Sequence, residues 1–320
     1  MATADQIKSL IRAHCDQDNE RFRTIALQIS AYEARLGHTQ LTRDIKTILE
    51  KPGLPKPKII QFNNQNQSLL MSMPDMRLSD LVVSNETHER IERILNEHTN
   101  RKKLHSFGMA NRRKILIEGA PGTGKTMTAS IIASELNLPL YTVQVDRLVT
   151  KFMGETSVKL RQIFDSIESV TGIYFFDEFD AIGADRGMDN EVGEMRRILN
   201  SFLQFLEQDA SESIIIAATN NRRILDKALF RRFDDVLHYS MPSFEDVHRL
   251  FHLKLEVFSP VSPLSEALVE KAASLSHAEI SRVCDDAIKN AILANTKEIS
   301  QDDLLRLVNE RLTVYEEVAM

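Results

Sequence analysis

Cysteine is scarce in this 320-residue chain: Cys15 and Cys284 stand far apart with no further thiol between them. That excludes a disulfide framework and a cysteine-based zinc site, and it fits reduced thiols in a cytosolic protein. Long apolar runs are missing too. No stretch approaches the ~18 uninterrupted apolar residues of a membrane span, and the N-terminus lacks the basic-then-apolar pattern of an export signal, so a cytoplasmic protein without a transmembrane segment is expected. The formal net charge of −6 provides no broad positive field, which argues against non-specific nucleic-acid binding. The basic clusters Arg101-Lys102-Lys103 and Arg112-Arg113-Lys114 are read as solvated faces. Neither a His-Glu-x-x-His pair nor a recognisable catalytic triad occurs, so any proteolysis would require a partner. What is present is ordinary for a soluble chain, with 42% apolar and 27% charged residues, enough to bury a full core in two or three domains.

Local pattern divides the chain. Phe22, Ile25, Ala26 and Ile29 share one face of a helix that Gly37 ends, and Leu41, Ile45, Ile48 and Leu49 repeat the pattern. Residues 1–50 therefore read as a helical N-terminal domain whose apolar faces pack internally or receive a partner's helix. Lys51-Pro52-Gly53-Leu54-Pro55-Lys56-Pro57 and the polar run from Asn63 to Gln67 break helix, and residues 51–83 read as a linker. From residue 84 to 242 the pattern is α/β. Short apolar strands at Ile115–Ile117, Leu140–Val145, Ile173–Phe176, Ser213–Ala217 and Val236–Tyr239 are separated by helical stretches, which implies a largely parallel sheet covered on both faces. Residues 243–320 carry helical patterns only, at Asp246–Leu255, Ser265–Ala273, His277–Ala294 and Gln301–Val314, and read as a small helical domain with a tail.

Gly119-Ala120-Pro121-Gly122-Thr123-Gly124-Lys125-Thr126 follows the spacing G-x-x-x-x-G-K-[ST] between a strand and a helix. In that setting it is a nucleoside-triphosphate phosphate cradle: the glycines let backbone N–H groups turn toward the phosphates at a helix N-terminus. Lys125 would reach the β- and γ-phosphates, and the Thr126 hydroxyl would complete a Mg²⁺ shell. Asp177-Glu178 ends the apolar strand Ile173–Phe176, at the sheet edge where open α/β sheets bind ligands. Asp177 suits Mg²⁺ held partly by phosphate, and Glu178 suits polarising an attacking water. Asn220 ends another buried strand, where its amide could hold that water or merely satisfy a turn. Arg231 and Arg232 precede the last strand. They could reach the site of a neighbouring subunit and stabilise charge on the transferring phosphoryl group, or form plain surface salt bridges.

Together these segments resemble the AAA ATPases of the AAA+ superfamily, over about residues 84–300. Gly119–Thr126 and Asp177-Glu178 match Walker A and Walker B, and Asn220 falls at the sensor-1 position. Asp226–Asp234 resembles the second region of homology that supplies arginine fingers. Its compact Phe230-Arg231-Arg232-Phe233 form looks like that of the microtubule-severing and membrane-remodelling branch, which leaves open which arginine acts. Ser276-His277-Ala278-Glu279-Ile280 resembles the lid segment that packs near adenine and ribose, which places Ala278 among the nucleotide-binding residues. Lys151-Phe152-Met153-Gly154 resembles the substrate-gripping pore loop. An aromatic beside Met offers sequence-tolerant contact to an extended chain, although a helix-start packing role fits the same residues. The resemblance implies a P-loop NTPase core that hydrolyses ATP with Mg²⁺ in a homo-oligomeric ring, a hexamer, and remodels or unfolds a polypeptide client. The helical N-terminal domain is weakly similar to that of bacterial AAA ATPases found beside subtilisin-like proteases, which would make a separate protease or an adaptor its partner. A nucleic-acid remodeller or loader and an ATP-dependent oligomeric scaffold are the competing readings. Glu155 beside Lys151 does little for the first, and an intact Glu178 counts against the second.

Overall fold

A computed structural model of the chain describes residues 68–148, 155–179, 189–220, 230–256, 264–296 and 298–319, all of them within Gln65–Met320. The helical patterns read in residues 1–50, and Lys151, Phe152, Met153 and Gly154, which resemble a pore loop in sequence, lie outside the described residues.

Six strands build the sheet: β1 (Leu69–Ser72), β2 (Lys114–Gly119), β3 (Leu140–Val143), β4 (Ile173–Phe176), β5 (Ile214–Thr219) and β6 (Asp235–Tyr239). They lie in the order β1-β3-β4-β5-β2-β6, with β1 antiparallel to β3 and every other pair parallel. The helices are α1 (Asn85–Thr99), α2 (Arg101–Ser106), α3 (Lys125–Glu135), α4 (Val145–Leu148), α5 (Glu155–Ser169), α6 (Asp189–Gln208), α7 (Phe244–Leu255), α8 (Glu266–Ala272), α9 (His277–Leu293) and α10 (Gln301–Ala319). The mixed α/β core with a mostly parallel sheet and a C-terminal helical region is the architecture expected from the alternation of apolar runs and helical stretches.

The central strands are fully buried, with Ile173–Phe176 and Ile214–Thr219 inaccessible along their whole length. That explains why they read as continuous apolar runs without alternation, as strands covered on both faces do. One face packs Ile115 and Ile117 of β2 against Ala129, Ile131 and Ile132 of α3 and Ile91 and Ile94 of α1. The other face carries an aromatic cluster in which Phe202 of α6 lies 5.0 Å from Phe176 and 4.5 Å from Phe179 between ring centroids. Helices α7 to α10 form a second core around Phe251, Leu268, Val283 and Val308. Side-chain caps start helices of this region, the Ser300 hydroxyl accepting from the Asp303 N–H at the start of α10. Ser243 and Asp246 make a reciprocal capping box on α7, and the Ser276 hydroxyl accepts from the Glu279 N–H at the start of α9.

The structure places two features in the segment that read as linker. Leu69–Ser72 pairs with β3 at the sheet edge, and the buried run Leu81-Val82-Val83 divides between cores: Leu81 and Val83 join the sheet cluster, Val82 the helical one. A four-residue edge strand next to helix-breaking sequence carries no periodic signal, and three consecutive apolar residues match neither a helix nor an alternating strand.

His98 on α1 supplies a test of this packing. It is buried, its Nδ1 has no hydrogen-bond partner among the described residues, and burial lowers its pKa below the ordinary 6.5, with the Arg101 charge acting in the same direction. The folded state therefore holds the ring neutral, so its stabilising share is complete above pH 6.5 and is lost as pH falls below that value and the unfolded chain takes up the proton. Thermal melts across pH 7.5 to 5 should show a decline that is shallower in His98→Gln; an unchanged slope would remove His98 as a contributor.

Candidate functional site

The cleft is built where β2 ends. Gly119 leads into the loop, and α3 begins at Lys125, so the first N–H groups of the helix face the turn. Gly122 and Gly124 have φ of 74° and 105°, in the left-handed region that side chains disfavour. At Gly122 a Cβ would also lie 2.5 Å from the Ser276 Oγ, so this loop position has room only for hydrogen. Thr123 is buried and donates to the Ala120 carbonyl at 2.8 Å, holding the loop's curvature.

Lys125, although charged, is largely buried. Its Nζ donates to the Gly119 and Ala120 carbonyls, each at 2.8 Å, and to the Asn220 Oδ1 at 2.7 Å. Asn220 reaches this point because β5 lies directly beside β2 and ends level with it, Thr219 opposite Glu118. The Thr126 hydroxyl donates to the Asp177 Oδ2 at 3.0 Å, although 51 residues separate the two. These are hard oxygen donors of the kind a Mg²⁺ ion takes, and they already face each other across the cleft. The other Asp177 oxygen accepts from the Glu178 N–H at 2.9 Å. Glu178 is exposed toward the cleft and has a φ of 49°, a left-handed conformation uncommon for a residue with a side chain and concentrated at functional sites.

The cleft encloses about 380 Å³. Pro121, Gly122, Thr123, Gly124, Lys125, Thr126, Asp177, Glu178, Asn220 and Ala278 all line it, which brings together the cradle, the strand-end acids, the strand-end amide and the lid segment. The helical region closes one side through a backbone bond, the Ala278 N–H donating to the Gly122 carbonyl at 2.9 Å. Asp80, Leu81, Val82, Met127, Leu250, Lys254, His277 and Ser281 complete the wall. Of these, only His277 lies in a segment that the sequence singled out, Ser276–Ile280; separate segments deliver the others, and only folding makes them neighbours.

Arg231 and Arg232 are not brought to this cleft. They precede β6, which runs parallel to β2 with Asp235 opposite Ile115 and Tyr239 opposite Gly119. They therefore lie at the opposite end of the sheet from the cradle, with four strand residues of ~3.3 Å each, roughly 13 Å, between the two levels. Asp234 fixes this end, accepting from the N–H groups of Arg113 and Lys114 at the start of β2. Arg232 pairs with Glu207 at 2.9 Å, and Arg231 is exposed.

The family model described as "ATPase family associated with various cellular activities (AAA)" matches residues 115–241. An AAA family ATPase of Sinorhizobium fredii, y4kL, is 32% identical over 97% of this chain and 96% of its own length. The chain belongs to the AAA family of ATPases. This ATPase is also 31% identical, over 75% of its length and 64% of the relative's, to the proteasome-activating nucleotidase of Sulfurisphaera tokodaii. The ATP-dependent zinc metalloprotease FtsH of Parabacteroides distasonis is 32% identical over 70% of this chain but only 34% of that protein. Membership implies an ATP-hydrolysing enzyme that uses ATP with Mg²⁺, as the family does. No helix among the described residues is long and apolar enough to cross a membrane.

Proposed function

We propose that this ATPase works as a ring, a hexamer, whose subunits share nucleotide sites and use hydrolysis to unfold a polypeptide drawn through the centre. The observation that carries this reading is the position of Arg231: an exposed cation at the end of the sheet away from its own cradle, which favours service to a neighbour's site over its own. In this reading Lys125 and the loop N–H groups of Gly119 to Gly124 bind the phosphates, and Ala278 borders the nucleoside. Mg²⁺ held by Thr126 and Asp177 would neutralise phosphate charge when bound. Glu178 accepts a proton from the attacking water, and Asn220 holds that water against the γ-phosphate. Arg231 and Arg232 complete the adjacent subunit's site.

Residues 84–242 would then be the ATPase domain, 243–320 the lid and tail, 51–83 the connection and 1–50 a recruiting domain for an adaptor or a separate protease. The names of the nucleotidase and FtsH relatives connect such ATPases with proteasome activation and proteolysis, which favours a polypeptide client. Lys151-Phe152-Met153-Gly154 is the proposed grip. The compact arginine segment favours the severing and remodelling branch, and the helical N-terminus favours the protease-associated ATPases of bacteria.

Two measurements test this. ATP turnover per chain should rise steeply with protein concentration as rings form; a rate constant down to the monomer rejects shared sites. Phe152→Ala should keep basal turnover within about twofold and lose ATP-driven unfolding of a destabilised fluorescent substrate. Unfolding at the parental rate would remove Phe152 from the grip.

A further inference from the structure

Behind the cradle, two buried hydroxyls meet inside an otherwise apolar cluster. Tyr239 ends β6 directly opposite Gly119, and Thr128 lies on the first turn of α3; both are buried, and Tyr239 packs among Leu81, Ile117, Ala129 and Leu237. The two strands are close here, since a Cβ on Gly119 would lie 2.4 Å from the Tyr239 carbonyl oxygen. The ring reaches under the loop, and a Cβ on Gly124 would lie 3.8 Å from its Cε1. The Tyr239 and Thr128 hydroxyls are hydrogen-bonded to each other. Packing alone would be met by phenylalanine and valine, whereas burying a hydroxyl costs free energy unless it is bonded. The direction of the bonds follows from the count of protons. Thr128 spends its one hydroxyl proton on the Gly124 carbonyl at 3.0 Å, so the proton between the pair belongs to Tyr239. Burial raises the pKa of the phenol above its ordinary 10, with the Thr128 contact opposing, so that proton stays in place at neutral pH.

We infer that Tyr239 is a positioning residue for phosphate binding, acting through Thr128 on the peptide between Gly124 and Lys125. The Gly124 carbonyl accepts twice from Thr128, from its N–H at 2.9 Å and from its hydroxyl at 3.0 Å. In a planar trans peptide the C=O and the following N–H point in opposite directions. Drawing the Gly124 carbonyl down into α3 therefore turns the Lys125 N–H out of the helix N-terminus, toward the place where phosphate is bound. A threonine on a helix often bonds the carbonyl four residues back. Here the acceptor is the left-handed residue that opens the helix, and a neighbouring strand reaches in to hold the threonine in that rotamer. The donor is thus aimed before any nucleotide arrives. The inference rests on the nucleotide reading of the cleft and adds to it the residue that keeps the cradle in shape from behind.

The test uses the full chain with ATP, with tripolyphosphate as a probe of the cradle alone, and with adenosine as a probe of the rest of the cleft. Tyr239→Phe keeps the ring and removes the hydroxyl. It should raise the KM for ATP by ~2–10-fold, the value of one neutral hydrogen bond, and leave kcat within about twofold. The inhibition constant of tripolyphosphate should rise by the same factor, and that of adenosine should not move. Thr128→Val should act in the same direction and also lower the melting temperature, because it leaves the Tyr239 hydroxyl buried without a partner. The double variant separates positioning from packing. With both hydroxyls gone its melting temperature should return toward the parent's, while tripolyphosphate still binds weakly. An unchanged KM in Tyr239→Phe overturns the inference. So does a phosphate affinity that recovers together with the melting temperature, or a loss equal for adenosine, either of which would make the pair packing only. Failure of the parent protein to bind ATP would reject the nucleotide reading itself, a different result from these.

Discussion

Glu178→Gln should reduce ATP turnover by ~10²–10⁴-fold, the usual value of a positioned general base, and leave ATP binding within a few-fold of the parent. The amide is close in shape to the carboxylate but cannot take a proton from water at neutral pH. Binding should survive because Lys125, the loop N–H groups and the Thr126–Asp177 pair are untouched, and none of them bonds to the Glu178 side chain. The one contact Glu178 makes with Asp177 uses its backbone N–H, which the substitution retains. Single-turnover hydrolysis beside equilibrium binding of a fluorescent ATP analogue separates the two effects. A variant that keeps more than about a tenth of the turnover would mean that another group activates the water.

Arg231→Ala should be as damaging by a different route, reducing turnover by ~10³-fold or more while each subunit binds ATP normally. Arg232→Ala should cost less, since Glu207 of the same chain engages that guanidinium in a half-exposed pair. The decisive measurement mixes two inactive proteins. In a mixed ring, a chain bearing Arg231→Ala keeps its own Glu178, and a neighbouring Glu178→Gln chain can supply the arginine. Sites that pair the two intact residues should therefore recover activity. A group acting within its own chain would give none, because every chain in the mixture would lack one partner. Absence of recovery in rings shown to have mixed would return the arginines to the surface.

The cleft shows how much of an active site one dimension can carry. Gly119–Thr126 was legible because phosphate binding needs a strand, a glycine turn and a helix N-terminus in immediate succession, a local requirement that spacing records. Asp177 and Asn220 were legible as polar residues terminating buried strands, where the C-terminal edge of a parallel sheet gathers its ligands. The strand Leu69–Ser72 was not, because its stability comes from pairing with Leu140–Val143, far along the chain, and from no pattern of its own. The 2.7 Å contact between Lys125 and Asn220 exists only because β2 and β5 are adjacent, an order that alternating strands and helices do not specify.

By itself, then, the amino-acid order determined that this chain has a parallel α/β core, a phosphate cradle and a pair of strand-end acids, since each depends on residues close in the chain. Tertiary structure alone decided that β6 lies beside β2 and in which register, which sets Arg231 at the far end of the sheet from its own cradle. It also decided that α9 docks on Gly122 and brings Ala278 to the wall of the cleft. Both outcomes follow from packing between segments more than a hundred residues apart, and no local propensity encodes a contact of that kind.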